Sequence, residues 1–460
     1  MYRNKNKVLL TLIAIMLVLS AVLVVIAVNL DSMLPKPPEK VTFCEAESTT
    51  EPGTEPTELS TQPPTEPEAP AVIKESTATI GATGDILMHM PVVNSCYNSD
   101  TGVYDFHGIF SNAAPYISGV DYAVANLETT LCSTTNGYQY SGYPCFNCPD
   151  EIVDALKQAG FDMLLTANNH SYDTRNTGFR RTQQVVADRG LAHIGTRPAV
   201  EDKNYIVVDI NGIRVGMINY TYNTGVKENG AVSLNGIPLT VDDSKLINSF
   251  NAAQLGSFYS KLEGEIKAMR NDGAEAIVLY IHWGDEYQTT ENRTQNTIAQ
   301  NLCNLGVDVI VGNHPHVPQP VELLTNEKDE TKKTLCLYST GNAISNQSRT
   351  SNRTVHVEDG IFFTFTFAKY SDGTVLVESA RVIPSWVHRY TENGATRYRI
   401  LYMDDAVEGW LPMMNLSSST QTNCQESYDR TMGIVSQGLA EANDYYAANQ
   451  EAVEASLGVA

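Results

Sequence analysis

Basic side chains are scarce in this chain of 460 residues: Lys and Arg total 31 against 53 Asp and Glu, a formal net charge of −22. That imbalance excludes nucleic acid and anionic membrane surfaces as default partners. It would repel a polyanionic substrate too, unless bound cations offset it locally. No Gly-x-Ser-x-Gly element, P-loop or dinucleotide fingerprint stands out, so nucleophile-elbow, P-loop and Rossmann chemistry have no support. No internal repeat is visible, which removes the repeat architectures.

What is present begins with a membrane signal. Arg3, Lys5 and Lys7 precede residues 8–30, an apolar run with no charged side chain. The run is long enough to span a bilayer and longer than the apolar core of a signal peptide, although a cleaved signal peptide is the alternative. The basic flank predicts a cytoplasmic N-terminus and everything else outside, as a single-pass protein of the cell membrane. No Cys directly follows the run, which argues against a lipid anchor. Residues 31–76 are rich in Pro, Glu and Thr and poor in large apolar side chains. Such a segment cannot bury enough surface to fold and reads as an extended linker.

The folded part is expected from about Thr77. Strand-like runs at 77–83, 122–127 and 161–166 alternate with helical patterns at 149–159 and 177–189. Further strands are expected at 205–210, 214–220, 276–281, 307–311, 334–338, 361–367 and 375–383, with helices at 258–272 and 292–305. The alternation predicts an α/β fold with covered sheets. The segments after Thr334 read as a second, antiparallel sheet. The main domain is expected over 77–390, and 391–460 as a largely helical extension.

Metal-ligand residue types follow these strands in order. They are Thr83-Gly84-Asp85, Asn126-Leu127-Glu128, Ala167-Asn168-Asn169-His170, His282-Trp283-Gly284 and Gly312-Asn313-His314-Pro315-His316. Carboxylate, amide and imidazole ligands suit divalent Mn, Fe or Zn, and α/β sheets gather ligands at the carboxyl ends of their strands. Each has a bland alternative: Asp85 as a helix cap, Glu128 as a surface residue, His282 as a structural histidine. The pair His314 and His316 is harder to dismiss. In an extended chain residues i and i+2 point the same way, and Pro315 biases His314 towards extended backbone. Both imidazoles are thus expected to converge at the mouth of strand 307–311. Five such motifs in this order are a strong signal.

These motifs, with Asp173 after Ala167–His170 and a closing Tyr338-Ser339-x-Gly341-Asn342, resemble the CapA family of bacterial capsule and poly-γ-glutamate biosynthesis proteins. That family is similar in fold to the calcineurin-like metallophosphoesterases. The resemblance covers roughly residues 77–385. It implies a four-layer α/β/β/α sandwich holding two divalent ions. By that likeness Asp85, Glu128 and His316 hold one ion, with Glu128 bridging, and Asn169, His282 and His314 complete the second. His170, oriented by Asp173, would be unligated and act on the substrate. His89, Asn126 and Asn342 would touch substrate. The chain departs from the phosphoesterase pattern in having Asp85-x-x-x-His89 for Asp-x-His and Glu128 for a bridging Asp. The implied mechanism is metal-assisted attack, two ions activating water and clamping the attacking and leaving oxygens.

The expected function is a metal-dependent hydrolase or transferase on an anionic envelope polymer such as poly-γ-glutamate, with membrane subunits of a polymer synthase as partners. The alternatives are a non-catalytic, polymer-binding component of a synthesis and export complex, or a general phosphoesterase. Among the eight cysteines, Pro144-Cys145-Phe146-Asn147-Cys148-Pro149 resembles half of a zinc knuckle, but no second half follows. A loop disulfide of Cys132 with Cys145 or Cys148 is expected instead, with Cys303 and Cys336 as buried thiols.

Overall fold

The fold grows from strands too apolar to lie at a surface. The computed structural model describes residues 72–135, 137–413 and 415–456. β1 (Lys74–Ile86) is buried throughout from Ile80, and β10 (Ala276–His282) is buried at every position. Strands buried on both faces need neighbours on both sides and cover above and below.

Each becomes the centre of a sheet. The first sheet runs β17 (Ala395–Tyr402), β16 (Val375–Glu392), β15 (Asp359–Tyr370), β1, β2 (Tyr122–Leu127), β3 (Met163–Leu165) and β4 (Ala192–Ile194), with β14 (Asn342–Ile344) also on β1. β1 to β4 are parallel, while β15, β16 and β17 join antiparallel. The second sheet runs β9 (Ser249–Phe250), β6 (Ile213–Tyr222), β10, β11 (Val309–Asn313), β13 (Lys333–Leu337) and β12 (Val321–Thr325), with β5 (Ile206–Ile210) on β6. Its strands from β9 to β13 are parallel.

The two sheets share one apolar core. Ala78, Ile80 and Ala82 of β1 lie in it with Val215, Met217, Val278, Tyr280 and Val309 of the second sheet. The other face of the first sheet is covered by α1 (Met90–Ser95) and α2 (Glu151–Ala159), through Val92, Val93, Ile152 and Leu156. The other face of the second is covered by α4 (Leu255–Asn271) and α5 (Arg293–Asn304), through Phe258, Leu262, Ile298 and Leu302. α5 starts on a capping box in which Asn292 and Gln295 exchange hydrogen bonds, satisfying amides that the first helical turn leaves free.

Several expectations need correction. The strand expected from Thr77 already begins at Lys74, inside the segment read as linker. The segments after Thr334 form no separate sheet. β13 continues the second sheet beside β11, and β15 pairs with β1 along most of its length. The boundary at 390 falls inside β16, which turns at Asn393-Gly394, both with positive φ, into β17. The expected helical extension therefore starts as a strand. Its helix, α6 (Ser418–Ser456), adds Val435, Ala442 and Tyr446 to the core between the sheets. No disulfide joins the described cysteines. Cys148 is turned into the apolar cluster under α2, whereas Cys132 packs against Gly178 of α3 (Arg175–Asp188). Cys303 and Cys336 are buried thiols as expected.

The expected membrane span at 8–30 and the linker up to residue 71 lie outside the described residues. Among the described residues, no helix is long and apolar enough to cross a membrane.

Candidate metal centre

The carboxyl ends of the parallel strands meet at one place. β1 delivers Asp85, the residue after β2 is Glu128, the loop after β3 carries Asn168 to His170, and β10 ends on His282. His314 and His316 follow β11. Strand register sets two of these neighbours, since Asp85 pairs with both Asn126 and Asn342.

Two motif glycines make this approach possible. A Cβ on Gly84 would sit 1.9 Å from the Gly341 carbonyl oxygen, and one on Gly312 1.9 Å from that of Tyr338. Only glycine lets these backbones come so close.

Glu128 lies at the centre. It is wholly buried, and neither carboxylate oxygen has a hydrogen-bond donor. His282 Nε2 is 3.5 Å from Oε1, and the Nε2 atoms of His170 and His316 are each 4.0 Å away. Burial pushes this carboxyl well above its usual range, and the Asp85 charge adds to that. Asp85 is also buried and its burial acts upwards, but the hydrogen bond and charge of His316, with His282 and Asn126, hold it below its usual value. Its oxygens accept from Asn126 Nδ2 at 2.8 Å and pair with His316 Nδ1 at 2.9 Å.

Two of the imidazoles are kept neutral. Burial lowers His282 to about 3 and His314 well below the ordinary histidine value. A neutral ring has a free lone pair, which is what a metal ligand requires. His314 Nδ1 is buried with no partner, and its ring lies 4.8 Å from that of His282. Ligand atoms of Asp85, Glu128 and His282 lie within 4.8 Å of one another, and so do those of Glu128, His314 and His316. Glu128 belongs to both groups. A buried carboxylate without donors, surrounded by imidazole nitrogens, fits divalent cations, which supply the counter-charge and accept the free lone pairs.

His314 and His316 do not converge through strand alternation. Their φ angles are 102° and 59°, left-handed backbone that costs on the order of 1–3 kcal/mol per non-glycine residue. A turn held from outside brings them together. Asn342 Nδ2 donates to the His316 carbonyl at 3.2 Å, and the Tyr287 amide donates to that of Pro315 at 2.8 Å.

Asn169 joins the group through Oδ1, 2.8 Å from His282 Nε2. His170 is buried beside it, with Nδ1 2.8 Å from Asp173 Oδ2. Asp173 Oδ2 also accepts from the Phe146 amide at 2.6 Å, and the Phe146 ring meets His170 edge-on at 4.7 Å. Asn126 and Asn342 are buried with their amide N–H groups engaged inside the protein, Asn126 on Asp85 and Asn342 on the His316 and Val357 carbonyls, while Asn342 Oδ1 has no hydrogen-bond partner. His89 lies outside both ligand groups. Its Nδ1 is 3.3 Å from the Asn346 amide, its ring abuts Phe146 at 5.1 Å, and burial lowers it to about 4.

Sequence reading missed two neighbours. Tyr222 closes the β6 side, its ring 4.8 Å from His314. Asn235 reaches Asn169 and His170 from a short hairpin. Asn235-Gly236 is a recognisable hairpin signal, but nothing local says where the hairpin lies.

Comparison with known proteins supplies names for this arrangement. Residues 79–347 match the family of bacterial capsule synthesis proteins designated PGA_cap. The capsule biosynthesis protein CapA of Bacillus anthracis is 27% identical over 297 residues, 63% of this chain and 65% of that protein. The PGA biosynthesis protein CapA of Bacillus subtilis (strain 168) is 26% identical over 247 residues, 53% of this chain and 58% of that one. A probable polyglutamine synthesis accessory protein of Mycobacterium tuberculosis is 24% identical over 213 residues, 45% of this chain and 52% of that one. The aligned part thus spans less than two thirds of each relative.

Proposed function

Because the chain belongs to the bacterial capsule synthesis family PGA_cap, we propose that it is a metal-dependent protein of capsule or poly-γ-glutamate synthesis or export, acting as a hydrolase or transferase on an anionic envelope polymer. In this reading residues 8–30 anchor it in the membrane and the linker holds the domain outside, beside membrane subunits of a polymer synthase. The domain is of the four-layer metallophosphoesterase type, supported by two face-to-face sheets with helices on their outer faces. The observation that carries the reading is Glu128, wholly buried without a donor among three imidazoles. Leaving such a charge uncompensated costs several kcal/mol.

Asp85, Glu128, Asn169, His282, His314 and His316 would hold two divalent ions, Glu128 being common to both. Bound there, the ions would supply Lewis acidity and a water activated near neutral pH. The chain's own residues do the rest. Asn126 fixes the Asp85 carboxylate, and Asn342 fixes the turn that presents His316. Phe146 and Tyr222 wall the site with aromatic surface and limit water. Asp173 holds His170 through Nδ1, which leaves Nε2 towards Glu128 to deliver a proton to a leaving group. The cations also offset the negative charge of the chain for an anionic substrate.

One observation favours the non-catalytic alternative, in which the site binds polymer without turnover. His89, which stands nearest to the phosphoesterase Asp-x-His position, lies outside the ligand groups. The test is metal analysis of the folded domain, with an activity screen against γ-glutamyl polymers and phosphodiesters. Turnover that vanishes on chelation supports the enzyme. Polymer binding that needs metal, without turnover, supports the alternative. A domain that binds no divalent metal overturns both.

A further inference from the structure

Asn235 sits at the tip of a two-residue hairpin between β7 (Val232–Leu234) and β8 (Ile237–Pro238). Its φ of 47° and that of 73° at Gly236 are the paired left-handed values such a turn requires, and Asn-Gly is the sequence that tolerates them best. The hairpin is not a loose flap. Val232 and Leu234 pack with Tyr172 and Phe179, next to the Asn168–Asp173 loop that carries Asn169 and His170. Gly236 donates its amide to Thr224 Oγ1 at 2.9 Å. The exposed tip therefore stands in a fixed place over two buried side chains.

At that tip the Asn235 amide faces both. Asn169 Nδ2 donates to Asn235 Oδ1 at 3.2 Å, while Asn235 Nδ2 lies 3.5 Å from His170 Nε2. A primary amide has two ends, so fixing one fixes the other. With its Nδ2 held by Asn235, Asn169 must turn Oδ1 inward, where it lies 2.8 Å from His282 Nε2. An inverted amide would offer the pocket an N–H, which cannot ligate a cation.

We propose that Asn235 is a positioning residue, which orients the Asn169 amide oxygen into the metal pocket from the mouth of the site. This rests on the reading of Asn169 as a ligand. Groups that orient metal ligands typically matter about 10–100-fold in metal affinity.

The experiment compares Mn²⁺ and Zn²⁺ affinity of the purified full-length protein, by calorimetry, in the wild type, N169A, N235G and N235D. Gly and Asp both suit the left-handed turn, so the hairpin survives in each. N235G should bind metal about 10–100-fold more weakly, with the melting temperature of the metal-free form unchanged. N235D keeps the acceptor for Asn169 Nδ2 and should restore affinity, at high salt as well as low, since salt screens a mere charge effect. Wild-type affinity in N235G, with N169A weakened, overturns the role of Asn235 and leaves the ligand reading standing. So does a rescue by N235D that disappears at high salt. Unweakened binding in N169A, or no binding in the wild type, overturns the ligand reading and this inference together.

Discussion

Among the wholly buried carboxylates of the described residues, two are treated in opposite ways. Asp359, at the start of β15, accepts from Arg430 Nε at 2.8 Å, from Arg430 Nη2 at 2.6 Å and from Ser427 Oγ at 2.6 Å. Burial acts to raise it, but the Arg430 hydrogen bonds, the nearby His356 ring, the Arg430 charge and Ser427 leave it below its ordinary value. Glu128 has no donor and is driven up. Asp359 has its counter-charge within the fold and uses it to fasten α6 to the sheet. Glu128 has none. A fold that can satisfy one buried acid and leaves the other bare keeps that second position for something from outside.

The largest effect expected is on chemistry next to the bare carboxylate. His170→Asn should retain metal and fold but lose about 10²–10⁴-fold in single-turnover rate. Asp173→Asn should lose less. Loss of metal from His170→Asn would make it a ligand and remove it from the proton-delivery role. The next effect is on the satisfied carboxylate. Arg430→Ala leaves Asp359 charged and unpaired, which should cost about 3 kcal/mol in denaturant unfolding. Metal content per folded molecule should not change; if it falls, the two ends are coupled and the contrast between them breaks.

Glu128→Gln should do the reverse. Without metal this carboxyl is already driven towards its neutral form, so the stability of the metal-free protein should change by no more than about 1 kcal/mol, while metal affinity collapses. A destabilised metal-free Glu128→Gln would mean that Glu128 is satisfied after all. The smallest effect is on pH dependence. The folded Asp359 lies below its unfolded value of about 3.9, so its stabilisation is complete above that value and fades as acid protonates the folded form. The stability gap between the wild type and Asp359→Asn should be flat above about pH 5 and narrow below about pH 4. A gap that widens with acid would reverse the sign of the shift.

Much of the fold was legible along the chain. Strand 122–127 and the helix ending at Ala159 stand where the apolar periodicity places them, because their sides are fixed by local pattern. The reach of β1, β15 and β16 was understated, since polar residues such as Ser76 and Lys369 pair within strands whose length is set by their neighbours. β17 was read as the start of a helical extension, although Arg397-Tyr398-Arg399-Ile400 alternates polar and apolar side chains. Its pairing with β16 decides it. The expected disulfide failed for a comparable reason, as spacing brings Cys132 and Cys148 near in sequence while packing turns one to α3 and the other under α2.

By itself, the sequence determined the residue types at the strand ends, and therefore the chemistry on offer: Asp85, Glu128, Asn169, His282, His314 and His316 all carry oxygen or imidazole atoms able to bind a cation, and two glycines permit their approach. Ligand chemistry belongs to a single side chain, so it can be read one residue at a time. Tertiary structure alone decided that Glu128 would have no donor, that His314 and His316 would meet through a strained turn, and that Asn235 would arrive from a distant hairpin. Those are properties of relative position. They arise when two sheets pack face to face and bring the carboxyl ends of separate strands to one buried point, where the low dielectric makes each unpaired group costly.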